Sequence, residues 1–127
     1  MSDELRAKGR EIQIQLWPQV AQRTGPPASP AGKLAPEFYD YVAQFAFGMF
    51  WSRPNLAVRD RSLATVAQLA ALGRLNELRA HLAGALSVGL TREELIEVLM
   101  QTAVYAGVPA ANDALGVAAE VLGTGSE

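Results

Sequence analysis

The chain has 127 residues, half of them hydrophobic and 19% charged, with a formal net charge of −2 and no cysteine. That length suits one domain with one core, and the weak, unclustered charge argues against nucleic acid as a partner. The missing thiols exclude disulfides, thiolate zinc sites and thiol redox chemistry.

The N-terminal stretch MSDELRAKGREIQIQLW is polar, so it predicts neither a leader peptide nor a membrane anchor. No apolar run approaches the ~20 residues of a spanning helix, and a cytoplasmic protein without a membrane partner is expected. Residues 4–23 place Ile12, Leu16 and Val20 on one helical face, which Gly9 and Pro18 weaken. TGPPASPAGKLAP (24–36) holds four prolines and two glycines and predicts an irregular arm. Pro36 then suits a first helical turn, and residues 37–51 carry Phe38, Tyr41, Phe45 and Phe50 at helical spacing, read as core.

SRPN (52–55) breaks that helix. A second runs from about Leu56 to Leu72, ended by Gly73, and is apolar nearly all round, which predicts central burial. Asn76 is the expected cap of a third helix, 77–88, ending at Gly89. Thr91 and Glu94 form a capping box for a fourth, and Pro109 opens an Ala-rich last helix to about Leu122. No β-alternation of useful length appears, so the fold class is all-α. Expected divisions are an N-terminal segment with its Pro-rich arm over 1–35, a helical domain over 36–122 and a flexible tail over 123–127. So many two-sided apolar helices in a short chain predict a homo-oligomer.

Chemistry has few places to reside. His81, the one histidine, follows Glu77 by four residues, so the two share a helical face. A carboxylate beside an imidazole tends to raise its pKa, which suits proton transfer near neutral pH. A solvated surface pair at the edge of the Leu78–Leu82–Leu86 stripe accounts for the same spacing. One His without Cys offers a poor metal shell. Arg61, Thr65 and Gln68 make a narrow polar stripe that must face a ligand, another helix or a salt bridge, because burying such groups unpaired is costly. Arg53, close to Trp51, is placed to reach into a cleft and grip a carboxylate. Tyr105, before a GVP turn, can offer a phenolic hydrogen bond. No GxGxxG, P-loop, HExxH, GxSxG or CxxC is present.

WSRPNL (51–56), RDRSL (59–63), ELRAH (77–81), GLTREEL (89–95) and YAGVPAAN (105–112) come in an order and spacing that resemble the carboxymuconolactone decarboxylase family, across roughly Pro36 to Leu122. The resemblance implies a compact all-helical subunit of the alkylhydroperoxidase-D-like type, assembled into a ring-shaped trimer or hexamer. It also implies a decarboxylase that needs no cofactor and takes a small carboxylated lactone. His81 with Glu77 and Arg61 would be catalytic, and Arg53, Trp51, Thr65 and Tyr105 substrate-binding. The peroxidase branch of the family uses a CxxC before this His; here Arg74 and Glu77 stand at those positions, so thiol peroxidase chemistry is excluded. The decarboxylase pattern has an Arg two residues after the His, where this chain has Ala83. Three readings stay open: a carboxy-lyase, an isomerase or lactone hydrolase using the same pair, and a catalytically idle oligomeric binding protein.

Overall fold

Caps and prolines set where the chain winds. Residues 2–125 are described by the structure, a computed structural model, and their regular elements are all helical. They are α1 (Asp3–Leu16), α2 (Pro30–Leu34), α3 (Pro36–Val42), a π-helical segment (Ala43–Trp51), α4 (Val58–Leu72), α5 (Leu75–Ser87), α6 (Arg92–Tyr105) and α7 (Val108–Leu122). Ser2 caps α1 by accepting the Leu5 N–H, and α1 stops before Pro18, which opens a single 3-10 turn over Pro18–Gln22. Thr91 and Glu94 form the expected capping box of α6. Among the described residues no helix is long and apolar enough to cross a membrane.

Local expectations fail at two places. The Pro-rich arm contains α2, because Ser29 caps it through the Gly32 N–H and Pro30 falls at the first position, where no N–H is needed. Helix α5 begins at Leu75 after Arg74, so Asn76 is not its cap; the Asn76 amide oxygen instead accepts from Arg79.

The described chain forms two compact units, within Met1–Val58 and Arg59–Glu127. In the first of these units the helical stretch that follows the arm packs against α1. In the first unit α1 crosses the π-helical segment at backbone distance. A Cβ on Gly9 would overlap the Ala43 carbonyl oxygen, and one on Gly48 would overlap that of Leu5. Gly9 is thus the crossing point and not simply a weak helix former. Ile12, Leu16, Val20, Phe47 and Trp51 are buried there, with the Phe47 ring 5.8 Å from Trp17 and 5.7 Å from Trp51. A bidentate pair, Arg6 to Asp40 at 2.6 and 2.9 Å, joins α1 to α3 and holds the Asp40 carboxyl below the usual carboxylate range. The remaining aromatics contradict the core reading: Phe38, Tyr41, Phe45 and Phe50 are 57, 52, 54 and 47% exposed.

The second unit packs Val66 and Ala70 of α4 against Leu78, Leu82 and Ala85 of α5, Leu95 and Leu99 of α6, and Ala114, Val117 and Ala118 of α7. Arg59 grips Glu94 at 2.7 and 2.6 Å, tying the start of α4 to the start of α6. Arg92 donates to the carbonyls of Leu122 and Gly123, which holds the start of the expected flexible tail; residues 126 and 127 lie outside the described residues. Helix α4 is not central. Only Ser62, Val66 and Ala70 are buried, and its other faces are half-buried or exposed. Being apolar all round left several faces able to turn inward, and the packing selected one.

Two substitutions test these packings. Gly9→Ala or Gly48→Ala is expected to lower unfolding free energy by about 2 kcal/mol or more, because the new methyl meets backbone that cannot turn aside. Ser62→Ala is expected to raise it by about 1 kcal/mol, since the fully buried Ser62 hydroxyl has no hydrogen-bond partner among the described residues. Urea titrations followed by circular dichroism check both.

Candidate functional site

On α5 the buried residues are Leu78, Leu82, Gly84 and Ala85, and helical spacing places His81 in the middle of that arc. Glu77, one turn earlier, is exposed. The pair shares a face, but its two members sit in different environments. Burial pushes the His81 pKa down to about 4, opposite to the rise expected from a neighbouring carboxylate. Desolvation outweighs the acid here, because Glu77 lies in water where its field is screened. At neutral pH His81 is therefore an uncharged imidazole with one N–H donor and one lone pair.

Arg61 and Thr65 lie one turn apart on α4 and are both half-buried; the Thr65 hydroxyl donates to the Arg61 carbonyl at 2.8 Å. Gln68, the third member of that stripe, is exposed. Trp51 is buried against Phe47 in the first unit, and Arg53 just after it is exposed. Tyr105, at the end of α6, is 85% exposed.

Sequence reasoning missed a groove of about 430 Å³ in the second unit, between α4 and α6. Ala64, Ala67 and Ala71 line one wall and Val98 and Thr102 the other, with Tyr105 also at its edge. Of the seven expected site residues, Tyr105 alone lines this groove. Arg61 and Thr65 project about a quarter-turn or more away from it, as their positions on α4 require. The groove's signal was present as alanines at i, i+3 and i+7, which read only as part of a helix apolar nearly all round and expected to be central. Among the described residues no three His, Cys, Asp or Glu side chains gather as a metal site.

His81 burial generates a pH dependence of stability. Unfolded, the group titrates near 6.5; folded, near 4, so between those values the unfolded chain binds more protons. The contribution is full above about pH 6.5 and is lost as pH falls towards 4, amounting to up to about 3 kcal/mol. Unfolding free energies of the wild type and His81→Gln, measured from pH 7 to pH 4, are expected to show a slope that is shallower in the variant by this amount. Parallel curves would contradict a desolvated, neutral imidazole.

The geometry can be set beside known proteins. Residues 36–120, which contain Glu77, His81 and the other five candidates, match the carboxymuconolactone decarboxylase family. A 4-carboxymuconolactone decarboxylase of Acinetobacter baylyi is 46% identical over 85 residues, covering 67% of this chain and 63% of that protein. A nitrosuccinic acid decarboxylase of Metarhizium robertsii is 33% identical over 76 residues, covering 60% of this chain and 53% of that protein. An uncharacterised 15.0 kDa protein of Paracoccus denitrificans is 32% identical over 91 residues, covering 70% and 68%. The chain thus spans less than two thirds of the length of the two named decarboxylases. With residues 36–120, about two thirds of its length, matched by the family, this chain belongs to the carboxymuconolactone decarboxylase family.

Proposed function

We propose that the chain is a carboxy-lyase that takes a small carboxylated lactone such as 4-carboxymuconolactone and needs no cofactor for the chemical step. The observation that carries the reading is the half-buried His81, whose desolvation keeps it neutral, inside the family-matched stretch. The 46% identity to the Acinetobacter decarboxylase supports the choice of substrate.

In this lactone the departing carboxylate sits on a carbon joined through a C=C bond to the ring carbonyl. When the C–CO₂ bond breaks, its electron pair flows through that double bond into the carbonyl oxygen, giving a dienolate. The substrate is its own electron sink. What remains for the protein is to hold the carboxylates, meet the developing oxyanion and return a proton to carbon. A neutral imidazole can donate its N–H to the oxyanion without first losing a proton. As negative charge grows beside it, the imidazolium becomes favoured; His81 then takes up from bulk solvent the one proton that replacing CO₂ by hydrogen consumes, and passes it to carbon. Glu77 is the orienting partner. Arg61, in its catalytic role, steadies the lactone oxygen, and Arg53 holds a carboxylate. Trp51, Thr65 and Tyr105 are the proposed substrate-binding side chains.

The Metarhizium relative favours a second substrate class. Its name specifies nitrosuccinic acid, in which a nitro group can accept the electrons that CO₂ leaves behind. Ala83, where the family pattern has Arg, suits an acid with one fewer anionic contact. Assembly as a trimeric or hexameric ring belongs to the same reading, and the absence of cysteine suits the reducing cytoplasm.

Purified chain incubated with 4-carboxymuconolactone, and separately with nitrosuccinic acid, is expected to release CO₂ from one of them. His81→Asn should lower kcat about 100-fold or more with the helical circular dichroism unchanged. Glu77→Gln should lower it less. A folded chain that releases CO₂ from neither acid would sink the lyase reading.

A further inference from the structure

An arginine that holds a substrate carboxylate needs a fixed base, because a long, exposed side chain pre-organises nothing by itself. Arg53, exposed just after the π-helical segment, has such a base. Its N–H donates to the Phe50 carbonyl at 3.1 Å, and the Ser52 hydroxyl donates to the Gly48 carbonyl, so the turn is tied back onto the segment. Pro54 follows directly and confines the Arg53 backbone to extended conformations. Where Arg53 stands is therefore set by the end of the segment, which is anchored by the buried Trp51. The Trp51 ring lies 5.7 Å from Phe47, also buried, and Phe47 meets Trp17 edge to face at 5.8 Å. Trp17 is in turn fixed by its own backbone: its N–H donates to the Gln13 carbonyl at 2.7 Å, and its carbonyl accepts from the Val20 N–H at 2.9 Å. Leu16 and Val20 to either side are buried. All of these residues lie in the first unit. Trp17 precedes the family-matched residues 36–120, so the match gives it no role.

We propose that Trp17 is a positioning residue for Arg53, acting through Phe47 and Trp51. The proposal rests on the carboxylate-holding role given to Arg53 above and adds what keeps that guanidinium in place. Interiors are close-packed, so a void left at Trp17 is filled by the rings beside it. Phe47 tilts into the space, Trp51 follows, and the tied turn carries Arg53 along. The segment cannot slide to compensate, because at Gly48 its backbone already lies against the Leu5 carbonyl of α1. A phenylalanine at position 17 keeps a ring against Phe47 and most of the filling. Holding a carboxylate is a binding task shared by ground and transition states, so a displaced Arg53 raises KM and spares kcat. Loss of His81, which handles the proton, falls on kcat instead.

The full chain carrying Trp17→Ala, Trp17→Phe, Arg53→Gln or Trp17→Ala with Arg53→Gln tests this through two readouts. The first is steady-state CO₂ release from whichever acid the wild type turns over. Trp17→Ala is expected to raise KM about 10-fold, the cost of a weakened charged hydrogen bond, with kcat within about twofold of wild type. Trp17→Phe is expected to keep the wild-type KM. The double variant should be no worse than Arg53→Gln alone, since Trp17 acts only through Arg53. The second readout needs no substrate: hydrogen exchange at the Arg53 backbone amide, followed by NMR. Trp17→Ala should speed it about 10-fold or more while the amides of α5, in the second unit, exchange as before, and Trp17→Phe should keep the protection. A KM rise in the double variant equal to the product of the two single effects would overturn the proposal, as would an Arg53 amide indifferent to Trp17→Ala. A wild type that releases no CO₂ from either acid counts against the lyase reading alone, and the exchange readout then decides the proposal.

Discussion

Desolvation of one imidazole sets the proton state of the only histidine in the chain. His81 lies on the arc of α5 that also carries Leu78, Leu82 and Ala85, and those residues are buried because α5 must hide an apolar stripe against α4, α6 and α7. Hiding the stripe takes the imidazole with it. Half-buried, the charged form loses part of its hydration, and the group is held neutral at physiological pH. A neutral ring can donate a hydrogen bond and later accept a proton, a sequence that an imidazolium in solvent cannot follow. The same packing that folds the second unit thereby sets the acid–base state of its candidate centre.

The charged groups serve different ends. Arg59 on Glu94, Arg79 on Glu120 and Arg6 on Asp40 all lie at the surface and tie helix to helix. Exposed pairs of this kind contribute little to stability on their own. Their value lies in direction: Glu94 belongs at once to the α6 capping box and to Arg59, so the start of α4 is placed by the same carboxylate that begins α6. Several arginines that stand out in the sequence are thus structural.

Much of the helical plan was legible. Capping chemistry is local, so Thr91–Glu94, Pro36 and the glycines after α4 and α5 marked their boundaries correctly. Local rules failed where one signal had two meanings. Proline breaks a helix from within but begins one at the first position, which is how α2 fits inside the arm. Aromatic residues at helical spacing define a stripe but not what covers it, and Phe38, Tyr41 and Phe45 lie open. The spacing of Glu77 and His81 put them on one face; it carried no information about how deep each would lie.

Sequence alone determined the all-α class, most helix limits and the family, because these rest on nearest-neighbour geometry and side-chain type. Tertiary structure decided three things that depend on residues far apart in the chain. It made Gly9 and Gly48 contact points, since only the crossing of α1 with the π-helical segment brings backbone against them. It chose which face of α4 turns inward and which borders a groove. It also reversed the expected shift of His81, because burial is the sum of many distant neighbours and here outweighs the one carboxylate a turn away.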